Sequence, residues 1–214
     1  MCMPNEQRDA QGGNDNRASG NTGDGPSPLV PLAVDAMHRY GCKDVLELGC
    51  GSSRDALAMA GEGFSVSAVD HSQVYCRQLN EASSQVEALC CDVRHGLPYP
   101  DRSLDACYSH LFFSIHFPDE ELHSMMRELR RVLRPGGLVV YSVRNKEGPC
   151  CGPEGHAAGG SEGKEEKDAQ AQRRFDEREL RRLAEGYELL SIVRIEEGSH
   201  TAPLFAVVMR KPFS

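Results

Sequence analysis

The sequence predicts an α/β protein built on a largely parallel sheet with helices on both faces. Three observations carry that expectation. Strand-like and helix-like segments alternate from residue 28 to residue 211, Gly49-Cys50-Gly51 follows the first strand directly, and Asp70 ends the second. Parallel neighbours cannot be joined by tight turns, so strand–helix–strand repeats need right-handed crossovers. Ligands of such sheets sit beyond the carboxyl ends of the strands.

The elements follow in order. Residues 29–40 place Leu32, Ala33, Ala36 and Met37 at helical spacing. Residues 44–48 form a short apolar strand, and 53–60 a helix closed by Gly61 and Gly63. Strand 64–69, helix 72–82 and strand 86–90 continue the alternation, and a fourth strand covers 104–109. The clearest helix is 119–134, where Leu122, Met125, Met126, Leu129, Val132 and Leu133 share a face and Asp119, Glu120 and Glu121 fill the first turn. Pro135-Gly136-Gly137 is expected to break it before a buried strand at 138–143. Asp176 with Glu179 resembles a capping box opening a helix to residue 184. Residues 188–195 and 202–210 read as two consecutive strands, an antiparallel pair at the sheet edge.

Residues 1–27 have almost no large apolar side chains after Met3 and are expected to form a disordered tail before a single domain over 28–214. Residues 152–172 are glycine-rich and charged and read as a flexible loop. No signal-peptide or transit pattern is present, and no apolar run is long enough to cross a bilayer, so a cytoplasmic location is expected. The net charge of -8 disfavours nucleic acid as a partner, since phosphate binding draws on a basic surplus. The basic clusters at 127–134 and 173–182 are interleaved with acids and read as solvated helix faces. Nine cysteines without a CxxC pair read as reduced thiols, and no metal site is expected.

Glycines directly after a buried strand permit a tight turn and close approach of a ligand to the backbone. Asp70 stands 21 positions after Gly49, where a carboxylate can accept hydrogen bonds from both hydroxyls of a ribose; capping the next helix is the alternative. Asp92 ends the third strand and can receive an amino group or simply form a turn.

The segment VLELGCGSSRDALAMAGEGFSVSAVDHS, with CCDVRHGLPYPDRSLDACYSH and RELRRVLRPGGLVVYSV after it, resembles the successive motifs of class I methyltransferases that use S-adenosylmethionine (SAM). The resemblance runs from about Leu29 to Lys211. It implies a Rossmann-like sheet of seven strands in the order 3-2-1-4-5-7-6, strand 7 antiparallel, and SAM as cofactor. It also implies that Glu47, Gly49 and Gly51 line the methionine end of SAM, that Asp70 takes the ribose and that Asp92 takes the adenine. Cys50, His71, Val93 and Ser109 fall beside these positions and complete the implied cofactor set. Arg54 replaces the third glycine of a dinucleotide fingerprint. SAM has no pyrophosphate to lay against that helix start, so the change favours it over a nicotinamide cofactor. The Gly-Cys-Gly-x-x-Arg start and the ending RRFDERELRRLAEGYELLSIVRIEEG are most similar to tellurite-resistance-type and small-thiol methyltransferases.

That resemblance implies methyl transfer to a small molecule, a thiol or a chalcogen or metalloid nucleophile. Alternatives are an O-, N- or C-acceptor, or a SAM-binding protein without catalysis. Methyl transfer needs the nucleophile about 3 Å from the methyl carbon, on axis and away from water. Soft nucleophiles need little general-base help, whereas oxygen nucleophiles need a base. His110 and Tyr108, at the end of strand four, are the candidate catalytic residues; lining the pocket is the other reading of His110. His116 lies among Phe112, Phe113 and Phe117, which read as an apolar wall or lid. Arg144 and Asn145 can bind an anion or hold a loop, and Cys150 and Cys151 with His156 can ligate a metalloid or be incidental.

Overall fold

The structure is a computed structural model that describes residues 25–52, 54–147, 172–197 and 203–213. Helix α1 (Val30–Arg39) precedes β1 (Asp44–Leu48), α2 (Arg54–Gly61), β2 (Ser65–Asp70), α3 (Gln73–Ala82) and β3 (Val86–Cys90). After a 3-10 turn at Val93–His95 come β4 (Leu104–His110), a second 3-10 turn (Phe112–Ser114), α4 (Asp119–Val132) and β5 (Leu133–Asn145). The two-residue β6 (Arg174–Phe175), α5 (Glu177–Leu183), β7 (Glu188–Ile195) and β8 (Leu204–Arg210) complete the order.

The strands form one sheet in the order β3-β2-β1-β4-β5-β8-β7. Strands β1 to β5 run parallel, and β8 runs antiparallel to both β5 and β7. This is the expected order of the seven principal strands, with the short β6 added in parallel beside the end of β5. Two apolar layers cover the two faces. Leu122, Met126 and Leu129 of α4 and Leu180 of α5 pack with Leu46, Cys107, Tyr141 and Phe205 on one. Ala33 and Met37 of α1, Met59 of α2 and Leu79 of α3 pack with Val45, Ala68, Ala106 and Val140 on the other.

Local chemistry explains the ends. Asp176 accepts from the Glu179 N–H at 2.9 Å while the Glu179 carboxylate accepts from the Asp176 N–H at 2.9 Å, the expected capping box. The expected break at Pro135-Gly136-Gly137 falls inside β5 instead, because α4 stops at Val132 and Leu133 already pairs with Leu104. The register then jumps to Ala106 opposite Leu138, so the Pro-Gly-Gly segment is absorbed as an irregularity of the strand.

Of the residues expected to form the tail over 1–27, residues 25–27 are described and lie against α2. Ser27 is buried, and its N–H donates to Asp55 Oδ1 at 2.7 Å. The Arg54 guanidinium donates to the Gly25 carbonyl at 2.9 Å. Residues 1–24 lie outside the described residues, as does the loop expected at 152–172 up to residue 171. Among the described residues, no helix is long and apolar enough to cross a membrane.

Candidate cofactor and acceptor site

Side chains alternate faces along a strand, so register decides which groups can meet. Glu47 of β1 lies opposite Tyr108 of β4, and His110 lies opposite Ser142 of β5. With Asp70 at the end of β2, these residues project to the face covered by α1, α2 and α3. They converge near the carboxyl ends of the strands, where the loop Gly49-Cys50-Gly51 turns into α2.

The loop is held from both sides. The N–H groups of Gly49 and Cys50 donate to the Val69 carbonyl at 2.8 and 3.3 Å, and the Gly51 N–H donates to Asp70 Oδ2 at 3.0 Å. Gly49 and Gly51 have φ of +70° and +48°, a region side chains rarely adopt. A Cβ at Gly51 would meet nothing within 4 Å among the described residues. One at Gly49 would stand 2.5 Å from Cδ2 of Phe112, so the aromatic segment after β4 walls this loop. Phe112 also lies 5.3 Å from the Phe117 ring.

Asp70 is buried, with Oδ1 accepting from the Ser72 N–H at 2.8 Å. Each carboxylate oxygen accepts two hydrogen bonds, so both can still take a ribose hydroxyl. Glu47 is buried, and its Oε2 has no hydrogen-bond partner among the described residues. Burial, then the negative charge of Asp55, and to a smaller degree that of Asp70, push its carboxyl well above the ordinary carboxylate range. A buried carboxyl with an unmatched oxygen among acids is a place for a cation. SAM carries an ammonium and a sulfonium, so the residues present fit it.

The other expected cofactor residues are spread more widely. Cys50 is buried in the turn, and Val93 packs in the core against Leu129. His71 is exposed, with Nδ1 3.3 Å from Asp70 Oδ1. Asp92 is engaged by Arg94 through Nε and Nη2, at 2.6 Å for the latter, and these hydrogen bonds hold its carboxyl below the usual range. An adenine amino group would share that carboxylate with Arg94. Ser109 is not with the group above. Strand alternation turns it to the opposite face, where its buried Oγ has no partner among the described residues.

Of the two expected catalytic residues, only His110 is partly exposed at the carboxyl end of β4. Its Nδ1 lies 2.7 Å from Ser142 Oγ and its Nε2 lies 3.1 Å from Glu197 Oε1. Tyr108 is fully buried behind it, and its hydroxyl is bound by Asp55 and Ser27 at 2.6 and 2.9 Å. Two features were missed in the sequence. Glu197, a buried acid after β7, carries no signal there, because two glutamates before a glycine read as a turn. Leu111 holds φ of +59°, with its N–H donating to the Ser142 carbonyl at 3.1 Å. Left-handed backbone in a non-glycine residue costs about 1–2 kcal/mol, and here it lies between His110 and the 3-10 turn that opens at Phe112.

His116 is exposed. Asn145 is buried and accepts from the Glu147 N–H at 2.8 Å, a loop-holding role, while the Arg144 N–H donates to Ser114 Oγ at 2.9 Å. Cys150, Cys151 and His156 lie outside the described residues. Among the described residues, no group of three or more His, Cys, Asp or Glu is placed to hold a metal.

Residues 45–137 match a family described as a methyltransferase domain. The chain is also similar to a probable SAM-dependent methyltransferase of Mycolicibacterium smegmatis, 32% identical over 113 residues, which are 51% of this chain and 41% of that protein. Residues 45–137 are thus similar to a methyltransferase domain. The methyltransferase fold agrees: a SAM-dependent methyltransferase from Methanosarcina mazei superposes with a TM-score of 0.67 at 19% identity, over 84% of this chain and 98% of that one. TehB from Haemophilus influenzae gives 0.63 at 19% identity, over 85% of this chain and 62% of that one. At such identities these structures speak for the fold alone. The chain spans about two fifths of the length of the relatives it matches in sequence. The site beside Gly51, where the buried Glu47 carries an oxygen without a hydrogen-bond partner among the described residues, has the chemistry to hold SAM.

Proposed function

We propose that the protein transfers a methyl group from SAM to a small molecule bound beyond the carboxyl ends of β4 and β5. The observation that carries this reading is the position of His110, at the end of β4 on the same sheet face as Glu47 and Asp70. SAM supplies a methyl group on a sulfonium, open to in-line displacement. Asp70 holds the ribose, and Glu47 holds the ammonium. Gly49 and Gly51 let the ligand approach the backbone, and the turn carrying Phe112 excludes water. His110 stands at the acceptor, while Tyr108 holds β4 to the segment around Ser27.

The acceptor is a thiol or a chalcogen or metalloid nucleophile on the tellurite-type resemblance. An oxygen or nitrogen acceptor is the second reading, favoured by the carboxylate partner that His110 has in Glu197. The net charge of -8 argues against a nucleic-acid acceptor. The test is release of S-adenosylhomocysteine (SAH) by the full chain against small thiols, selenite, tellurite, arsenite and common phenols. Turnover on one of these supports the reading. SAM binding with silence across the panel would move it to a binding protein.

A further inference from the structure

Register sets Cys90 of β3 opposite Asp70 of β2, and α3 brings Cys76 to the same turn. The Cys76 thiol donates to the Asp70 carbonyl at 3.6 Å and the Cys90 thiol to the His71 carbonyl at 3.4 Å. Two thiols thus sit on consecutive carbonyls of the turn that carries the carboxylate assigned to the ribose. They also reach each other, since a hydrogen bond from Cys76 stabilises the Cys90 thiolate. Among the described residues Cys90 is the one exposed cysteine, whereas Cys76 is 4% exposed. Burial, then the charge of Asp70, push the Cys90 thiol up, and burial pushes Cys76 up to about 11. Cys90 is the thiol that solvent reaches, and it reacts faster as pH rises because only the thiolate is nucleophilic. Cys91 is buried, with its thiol turned to the Gly96 carbonyl at 3.5 Å.

We infer that Cys90 and Cys76 are a redox-active pair, closed to a disulfide by a peroxide, and that closure loosens the grip of this turn on SAM. The coupling to SAM rests on the cofactor assignment given above; the disulfide itself does not. The Cys90 thiolate attacks one peroxide oxygen, the oxygen–oxygen bond breaks, and the second oxygen leaves as hydroxide, so that Cys90 becomes a sulfenic acid. The Cys76 thiol gives up its proton as its sulfur attacks the Cys90 sulfur, and the hydroxyl leaves as water. Two electrons pass from the two thiols to one peroxide, which yields two waters. Closure takes both S–H donors from the Asp70 and His71 carbonyls and draws α3 towards the end of β3. Asp70 is then pulled from the position in which the Ser72 and Gly51 N–H groups hold it at 2.8 and 3.0 Å.

The test uses the full chain, Cys90→Ser and Cys76→Ser, each treated with hydrogen peroxide and freed of it before measurement. Peptide mass spectrometry without reductant is expected to show a Cys76–Cys90 link in the parent, formed faster as pH rises, and none in either variant. Calorimetry is expected to show SAH bound about 10-fold or more weakly by the oxidised parent, with affinity restored by dithiothreitol. Reduced Cys90→Ser is expected to bind SAH as the reduced parent does, and peroxide is expected to leave its affinity unchanged. Cys90 recovered only as a higher acid or linked to Cys91, or equal SAH affinity with the Cys76–Cys90 link in place, overturns the inference. A reduced parent that binds no SAH overturns the cofactor assignment instead, and the mapped link alone then decides the pair.

Discussion

The Tyr108 hydroxyl donates to Asp55 Oδ2 at 2.6 Å, joining the end of β4 to the first turn of α2 just behind the cofactor loop. Ser27 closes the cluster, its N–H on Asp55 Oδ1 and its hydroxyl on the Tyr108 oxygen. Burial, then the charge and hydrogen bond of Asp55, push the Tyr108 phenol far above its ordinary range, so it stays protonated and donating.

Removing that hydroxyl leaves two buried polar groups short of a partner. Tyr108→Phe is expected to lower stability by about 1–3 kcal/mol. Urea unfolding checks this: the midpoint falls while the slope is unchanged. A midpoint equal to the parent's would mean that the cluster contributes nothing.

Glu47 gives a pH dependence with a definite sign. Its carboxyl is raised well above 4.5 in the folded chain by burial and by Asp55 and Asp70. Below 4.5 the folded and unfolded chains both hold the proton, so nothing is lost there. As pH rises from that value through the raised folded one, ionisation costs the folded state more than the unfolded, and stability falls. Glu47→Gln, which cannot ionise, is expected to be increasingly more stable than the parent as pH rises, yet to bind SAM more weakly. Thermal melting across pH, with SAM titration beside it, checks both signs. Equal melting curves at every pH would remove the buried-acid argument.

Gly51 separates steric room from strain. A Cβ there meets nothing within 4 Å among the described residues, but φ of +48° is unfavourable for alanine. Gly51→Ala is expected to lose about 1 kcal/mol or somewhat more in stability and much more in SAM affinity, since the methyl enters the ligand's space. Parallel unfolding and SAH calorimetry measure the two effects. Parental SAH affinity would place the ligand away from this loop.

Much of this was legible in the sequence because it was written in local pattern. The α4 stripe, the Asp176 capping box, and the glycines and Asp70 at strand ends each rest on residues close in sequence. What was not legible depended on distance or on very short pieces. The two-residue β6 has no period to read. Pro135-Gly136-Gly137 looked like a helix stop after Arg134 and became part of β5, because Leu133 found a partner in Leu104. Tyr108 carries the chemistry of a catalytic group, and only its burial between Asp55 and Ser27 shows that its hydroxyl is already committed. Glu197 becomes visible only when the fold sets the end of β7 beside His110.

The most direct measurement is calorimetric titration of SAM into the full chain and into Asp70→Ala. The expected result is saturable one-to-one binding by the parent and a loss of about 10- to 150-fold in the variant, the scale of hydrogen bonds to a charged group. Equal affinity in both, or no binding by the parent, would contradict the assignment of this site.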